Sequence, residues 1–255
     1  MNPLDLLLTR EITIVGLVFC RVGAALMVLP AFGEPYVVSR VRLGIALAIA
    51  VLVGLPLSAR LVLPPLDAAT TSILVMAEVL TGLLIGAIIR LVMFAIHFGG
   101  SLIAMQSGLA TAAFFDPQEA TQGTVTGNFL AILALVVIVA SEGHLLILQA
   151  LTTSFSVIEA DGTTDLVGLV EVLVRLGGEA IATGLRMAAP IVLFSLLLNL
   201  LLGVLNRLMP SFQVLFVAMP LQIVLAFGLF MLSLGTTVGL ATTMLRTTLL
   251  WLDPA

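Results

Sequence analysis

Long, nearly unbroken apolar runs constrain this chain more than any other feature. They extend from Ile12 to Pro30, Leu43 to Leu63, Ile73 to Phe98, Phe129 to Leu151, Met187 to Leu205 and Val214 to Leu250. An α-helix crosses the hydrocarbon core with about 20 residues, so the runs predict about six or seven apolar elements. Only helices and closed barrels satisfy their own backbone hydrogen bonds in lipid. Barrel strands alternate in polarity over segments of about ten residues, whereas these runs are continuous. The expected fold class is therefore all-α, a polytopic integral membrane protein.

Composition agrees and excludes several function classes. Of the 255 residues, 61% are hydrophobic and 9% charged, against about 25% charged in soluble domains, and the mean hydropathy is +1.27. All ten basic residues are Arg, and no basic block exists to hold nucleic acid. Cys20 is the single cysteine, which rules out an internal disulfide or a multi-cysteine metal site. The opening Met1-Asn2-Pro3-Leu4-Asp5 has neither the basic start nor the cleavage site of a secretory signal, so the first helix is expected to stay in place. His97 and His144 are too isolated in sequence to suggest a metal site. There is no phosphate loop with Lys, no zinc-binding His pair and no nucleophile elbow. No enzyme chemistry and no cofactor is expected.

Charge placement says more about topology. Arg40, Arg42 and Arg207 would face the cytoplasm by the positive-inside rule. If the acidic loops holding Asp116 and Glu119, then Glu159, Asp161 and Asp165, both lie outside, the run between them cannot cross an odd number of times. Ser141-Glu142-Gly143-His144 interrupts that run with a turn former and two ionisable groups, so it reads as a broken hairpin. The stretch from Asp165 to Leu205 is about twice the length one span needs, with Pro190 its only strong breaker.

Three residue patterns within the runs are candidates for function. Glu171, Arg175, Glu179 and Arg186 fall within an arc of about 80° on a helix. They form either the polar face of a surface helix with i,i+4 ion pairs or a polar contact with partner subunits. Glu78, Gly82, Gly86 and Arg90 follow one another at four-residue steps and trace one slowly drifting face, where the small residues predict close packing against protein rather than lipid. Arg21, Glu78, Arg90, His97 and Glu142 are charges in apolar surroundings. Such groups face a partner or a water-filled space, or pair with one another to fix assembly geometry.

A further pattern follows Gly99-Gly100 and Gly108. From Leu109 to Gln122 the chain brings Phe114 and Phe115 against Asp116-Pro117, a helix-disfavouring pair. The segment reads as a constrained loop with an aromatic tip, either lining a water-filled cavity or packed at a subunit interface, since bare loop backbone is not tolerated in lipid.

Three stretches together resemble the FliR family, whose injectisome relatives are the SctT-type export proteins. The first is Leu29-Pro30-Ala31-Phe32-Gly33-Glu34-Pro35 with Arg40-Val41-Arg42-Leu43. The second runs from Glu78 to Arg90, then Gly99-Gly100, Gln106-Ser107-Gly108-Leu109 and Phe115-Asp116-Pro117. The third comprises Ala189-Pro190, Asn199-Leu200, Leu202-Gly203-Val204-Leu205-Asn206-Arg207, Pro210, Phe216-Val217 and Pro220-Leu221. Ser211 and Ala218-Met219 depart from the family's usual Gln and Gly at those places.

The resemblance implies a single domain over residues 1–255, built of bent helical hairpins that join a helical export gate with FliP and FliQ. FlhB and FlhA would be associated, and the site would be the inner membrane at the flagellar basal body. Unfolded flagellar subunits would pass through. The segment from Leu109 to Gln122 would correspond to the loop that helps close the channel, with Phe114, Phe115, Asp116 and Pro117 as plug candidates and Met105 nearby as a flexible apolar seal. The rival readings are an injectisome export subunit of the same architecture and a small-solute secondary transporter. The latter often shows internal repeats, and the halves of this sequence show no convincing one.

Overall fold

The computed structural model describes residues 3–58, 67–108, 125–158, 166–209 and 214–250. Among these residues the structure is helical, with no strand. The helices are α1 (Pro3–Val28), α2 (Ser39–Ser58), α3 (Ala68–Gln106), α4 (Val125–Ala140), α5 (Gly143–Val157), α6 (Leu166–Leu208) and α7 (Val214–Leu250). The runs from Ile73, Met187 and Val214 lie on α3, α6 and α7, the run from Phe129 on the α4–α5 pair, that from Ile12 on α1 as far as Val28, and the described part of that from Leu43 on α2.

Five helices are long and apolar enough to cross a membrane: α1 from Arg10, α2, α3, α6, and α7 from Pro220. The pair α4–α5 adds a sixth candidate when taken together, with a bend of 74° at its break. That break falls at Ser141 and Glu142. Glu142 adopts a left-handed backbone with φ 58°, its amide donates to Val139 O and its carbonyl accepts from Leu145 N. A turn of this kind ends one helix and starts the next.

The other long stretches do not break. α6 runs for 43 residues through Pro190, α3 for 39, and α7 for 37 through Pro220. At 1.5 Å per residue these helices measure about 55 to 65 Å, roughly twice the hydrocarbon thickness of a bilayer. Proline costs a helix one backbone bond, but membrane helices tolerate it where neighbouring groups satisfy the freed carbonyl.

The helices gather into two compact units. The first comprises Met1–Leu91, Val139–Gly177 and Arg246–Ala255, and the second Val92–Ile138 and Gly178–Leu245. The chains of α3, α6 and α7 therefore contribute to both. In the first unit Ile14, Leu17, Leu26, Ile85, Ile147 and Leu151 are fully enclosed. There α2 lays the small stripe Ala46, Ala50 and Gly54 inward, and a Cβ on Gly54 would come within 2.9 Å of Val15. In the second unit the core holds Ile96, Ile103, Leu130, Met187, Ile191 and Phe230.

Candidate functional site

In the first unit one face of α3 is laid along α1. Arg21, on α1, is 0% exposed and Glu78, on α3, 1%. Arg21 Nε donates to Glu78 Oε2 at 2.6 Å and Nη2 to Oε1 at 2.9 Å, the two-pronged geometry that makes Arg–carboxylate pairs strong. Nη1 donates to Ile158 O at 2.9 Å and lies 3.4 Å from Ser154 O. Both carbonyls belong to the C-terminal end of α5, where the helix dipole favours a cation. The guanidinium carbon stands 4.2 Å from the centre of the Phe155 ring, within cation–π range. One buried arginine thus ties together α1, α3 and the end of α5.

Gly82 and Gly86 continue the same face. A Cβ on Gly82 would overlap Arg21 O, and on Gly86 it would approach Ala25 O and the Val28 side chain at 3.0 Å. The glycines thus let α3 come close enough for the Glu78 carboxylate, one turn away, to reach Arg21. A further turn on, Arg90 Nη1 donates to Val28 O at 2.9 Å and Nη2 lies 3.8 Å from Glu34. The four residues read from sequence as one face all meet α1 or the turn that follows it.

That turn is itself clamped. Arg42 Nε donates to Phe32 O at 2.9 Å and Nη2 to Glu34 O at 3.3 Å. Ala31 sits at φ 71°, and Gly33 N donates to Leu29 O at 2.7 Å. A side chain on Gly33 would lie 2.6 Å from Met27 O, so only glycine fits. Sequence reasoning treated Arg42 as a topology signal and missed this role; the signal available was an arginine placed shortly after the Pro- and Gly-containing turn Pro30 to Pro35.

Within the single chain, two of the charges singled out in the sequence stand exposed. The Arg90 side chain is 46% exposed within this chain, because it reaches over the end of α1 rather than between helices. Glu142 is exposed, because the break turns it outward at the start of α5 with no capping bond from its side chain. His97 is half-buried in the second unit. Glu171, Arg175, Glu179 and Arg186 are all exposed on α6. No group of three metal-ligating side chains occurs among the described residues.

In the second unit the glycines of α3 again mark close approaches. A Cβ on Gly99 would stand 2.9 Å from Gly184 O of α6, and one on Gly100 2.6 Å from Gly127 Cα of α4. The sequence reading singled out Gly99 and Gly100 but missed their partners Gly184 and Gly127, although glycines inside long apolar helices are themselves a packing signal. At the end of α3, Ser195 Oγ donates to Gln106 Oε1 at 2.6 Å and Gln222 Nε2 to Gln106 O at 3.1 Å. Ser107 is buried, and Met105 is 64% exposed. Gly108 follows at φ 81°. Phe114, Phe115, Asp116 and Pro117 lie outside the described residues.

Comparison with known proteins bears on this arrangement. The profile described as "Bacterial export proteins, family 1" matches residues 12–248. The flagellar biosynthetic protein FliR of Caulobacter vibrioides is 33% identical over 226 residues, covering 88% of this chain and 90% of that protein. The chain belongs to the FliR family of bacterial export proteins. FliR of Escherichia coli is 28% identical over 82% of this chain and 79% of its own length. FliR of Bacillus subtilis is 29% identical over 83% and 82% respectively. The family match takes in both the Arg21–Glu78 cluster and the end of α3.

Proposed function

We propose that the chain is a structural, channel-forming subunit of the flagellar type III export gate in the bacterial inner membrane, at the flagellar basal body. It assembles there with FliP and FliQ, with FlhB and FlhA associated, and helps pass unfolded flagellar subunits across the membrane. The observation that carries this reading is the family match over residues 12–248, joined to flagellar names on the relatives quoted above. The helices add support. α3, α6 and α7 are too long to be simple spans, and Leu193, Leu197, Leu200 and Val204 of α6 are left exposed, as suits a subunit completed by others.

Within that gate, Met105 and residues 114–117 act as the resting seal, with Phe114 and Phe115 obstructing the pore and yielding to an unfolded substrate. The role of the whole protein is tested by deleting its gene from a motile host: flagellin secretion and motility should vanish and return on complementation. Undiminished secretion would overturn the reading. The seal is tested separately, by replacing Phe114 and Phe115 with Ser or by deleting Ala112 to Gln118. Ion leakage should rise while co-purification with FliP and FliQ stays normal. Normal assembly without added leakage would mean that the segment is a packed connection instead.

A further inference from the structure

We infer that the turn between α1 and α2 is an anchoring surface for anionic phospholipid headgroups, with Arg40 as the phosphate-binding residue and Tyr36 beside it at the interface. The inference goes beyond the gate reading and stands on the first unit alone. α1 from Arg10 and α2 hold 19 and 20 residues, which at 1.5 Å per residue is about 30 Å, the thickness of the hydrocarbon core. Unlike α3, α6 and α7, this pair fits lipid end to end. α2 turns Ala46, Ala50 and Gly54 inward and leaves Leu47, Val51, Leu52 and Leu55 exposed, with no charged residue between Arg42 and its end at Ser58. Hydrocarbon can cover such a face, so the turn that joins the two helices lies at headgroup level.

The turn is built to hold its shape. Arg42 donates to Phe32 O and Glu34 O, Arg90 donates to Val28 O, and Gly33 N donates to Leu29 O. A preformed surface binds without the cost of ordering itself. What it presents outward is mixed in the way an interface is: Tyr36 is 65% exposed and Val38 62%, and Arg40 is exposed. Tyrosine, with an apolar body and a polar tip, concentrates at the boundary between membrane and water.

Charge selects the lipid. The turn and its clamps carry Arg40, Arg42 and Arg90 against Glu34, although the whole chain has a net charge of -4. The carboxylate is the withdrawn member. The Glu34 side chain is 18% exposed and lies 3.8 Å from Arg90 Nη2, whereas the Arg90 side chain is 46% exposed. The guanidinium of Arg40 has no hydrogen-bond or ion-pair partner among the described residues. A free guanidinium suits a phosphodiester, whose oxygens arginine grips in pairs. An anionic headgroup such as that of phosphatidylglycerol adds a net attraction that zwitterionic phosphatidylcholine lacks. An acidic protein would meet the same charge, but the match of α1 and α2 to bilayer thickness favours lipid.

The test reads lipid at the turn itself. In a Cys20→Ser background, Val38→Cys carries a small fluorophore, and the chain is placed in nanodiscs with the subunits that accompany it from its host membrane. Phosphatidylglycerol or phosphatidylcholine brominated near the glycerol quenches the label on contact. At equal mole fraction phosphatidylglycerol should quench more strongly, and Arg40→Gln should cut that preference about fivefold, the weight of one basic residue at an anionic surface. Arg40→Lys should keep most of the preference, and Arg40→Glu should abolish it. Arg207→Gln, which removes the same charge from α6, should leave it unchanged. Equal quenching by the two lipids, or competition by inorganic phosphate, would overturn recognition of a lipid headgroup. No quenching by either would mean that protein covers the turn, which also overturns the inference, and loss of accompanying subunits in Arg40→Glu would then point to an acidic partner. These outcomes are separate from that of the gene deletion. A host that secretes flagellin normally without this chain refutes the gate reading and leaves the lipid surface in place, while a secretion-competent complex without headgroup preference does the reverse.

Discussion

A guanidinium enclosed on every side depends on each of its neighbours, and Arg21 shows what that dependence implies. Removing Glu78 would leave a buried cation with two helix-end carbonyls but no counter-charge, and breaking a buried pair this way typically costs about 3–5 kcal/mol. Glu78→Gln should therefore cause a severe loss of thermal stability in the purified complex, measured by fluorescence-detected size exclusion after heating. The double variant Arg21→Leu/Glu78→Leu should lose less than the sum of its singles, because no unpaired charge remains. Additive losses would show that the pair contributes nothing as a pair. Sequence inspection could single out both residues as charges in apolar helices. Their pairing was out of its reach, since they stand 57 positions apart and nothing local announces a long-range partner. A second residue has a pH signature. Asp67 lies outside the membrane-spanning segments and accepts from Thr70 N at 3.1 Å, capping α3. Hydrogen bonds from Thr70 hold its carboxylate below the ordinary value. Its contribution is therefore complete at neutral pH, above the unfolded value, and is lost as pH falls through the folded one. Protection of the Thr70 amide, measured relative to its intrinsic exchange rate, should persist through mild acid and fall only below the ordinary carboxylate range, and Asp67→Ala should lack it at every pH.

Helices in this chain meet where side chains are missing. At Gly82 even one methyl would overlap Arg21 O, while at Gly86 it would press on backbone and Val28 at 3.0 Å. Gly86→Leu should overpack the α1–α3 contact at a cost of about 1–3 kcal/mol, and Gly82→Ala should already be harmful. Gly178 provides the opposite case on α6. It is exposed, and a Cβ there would meet nothing within 4 Å, so Gly178→Ala should stabilise the helix by roughly 0.5–1 kcal/mol. Melting the three variants side by side tests the packing assignment, and it fails if Gly82→Ala and Gly178→Ala shift stability in the same direction. Four-residue spacing made the Glu78–Arg90 face legible in the sequence because α-helical periodicity is local. Helix ends were less legible. Apolar runs register what lipid would accept, so α6 begins about 20 residues before its run, and it was the helical spacing of Glu171, Arg175, Glu179 and Arg186 that made the long Asp165 to Leu205 element legible. Polar residues with good helix propensity extend a helix without extending its hydrophobic signal. Likewise α3 continues past Phe98 through Gly99-Gly100, where close contacts with Gly184 and Gly127 offset the weak helix propensity of glycine.

At the scale of the whole molecule, the question is what covers the surface that this chain leaves open. Lipid suits apolar side chains but only over about 30 Å, and α3, α6 and α7 are each nearly twice that long. Apolar residues such as Val167, Val174, Ile181 and Leu185 share the first half of α6 with the exposed stripe Glu171, Arg175, Glu179 and Arg186. That mixture is poorly served by either hydrocarbon or water, and another protein surface serves it better. The charge argument for partners is narrower than sequence alone suggested. Glu78 already has Arg21, and Arg90 has Val28 O with Glu34 nearby, so neither needs a second subunit for its charge. The chain expressed alone in mild detergent should therefore retain the Arg21–Glu78 core yet aggregate through its open helix faces, whereas co-expression with FliP and FliQ should keep it dispersed. Charge reversal separates the two causes. Reversing Glu171 and Glu179 to Lys should leave the melting of the isolated chain nearly unchanged, because both side chains are exposed, but should reduce recovery of the complex. If the chain alone gives a long-lived, monodisperse monomer, or if the reversed stripe assembles as well as the parent, these faces meet lipid or water and the partner contacts lie elsewhere.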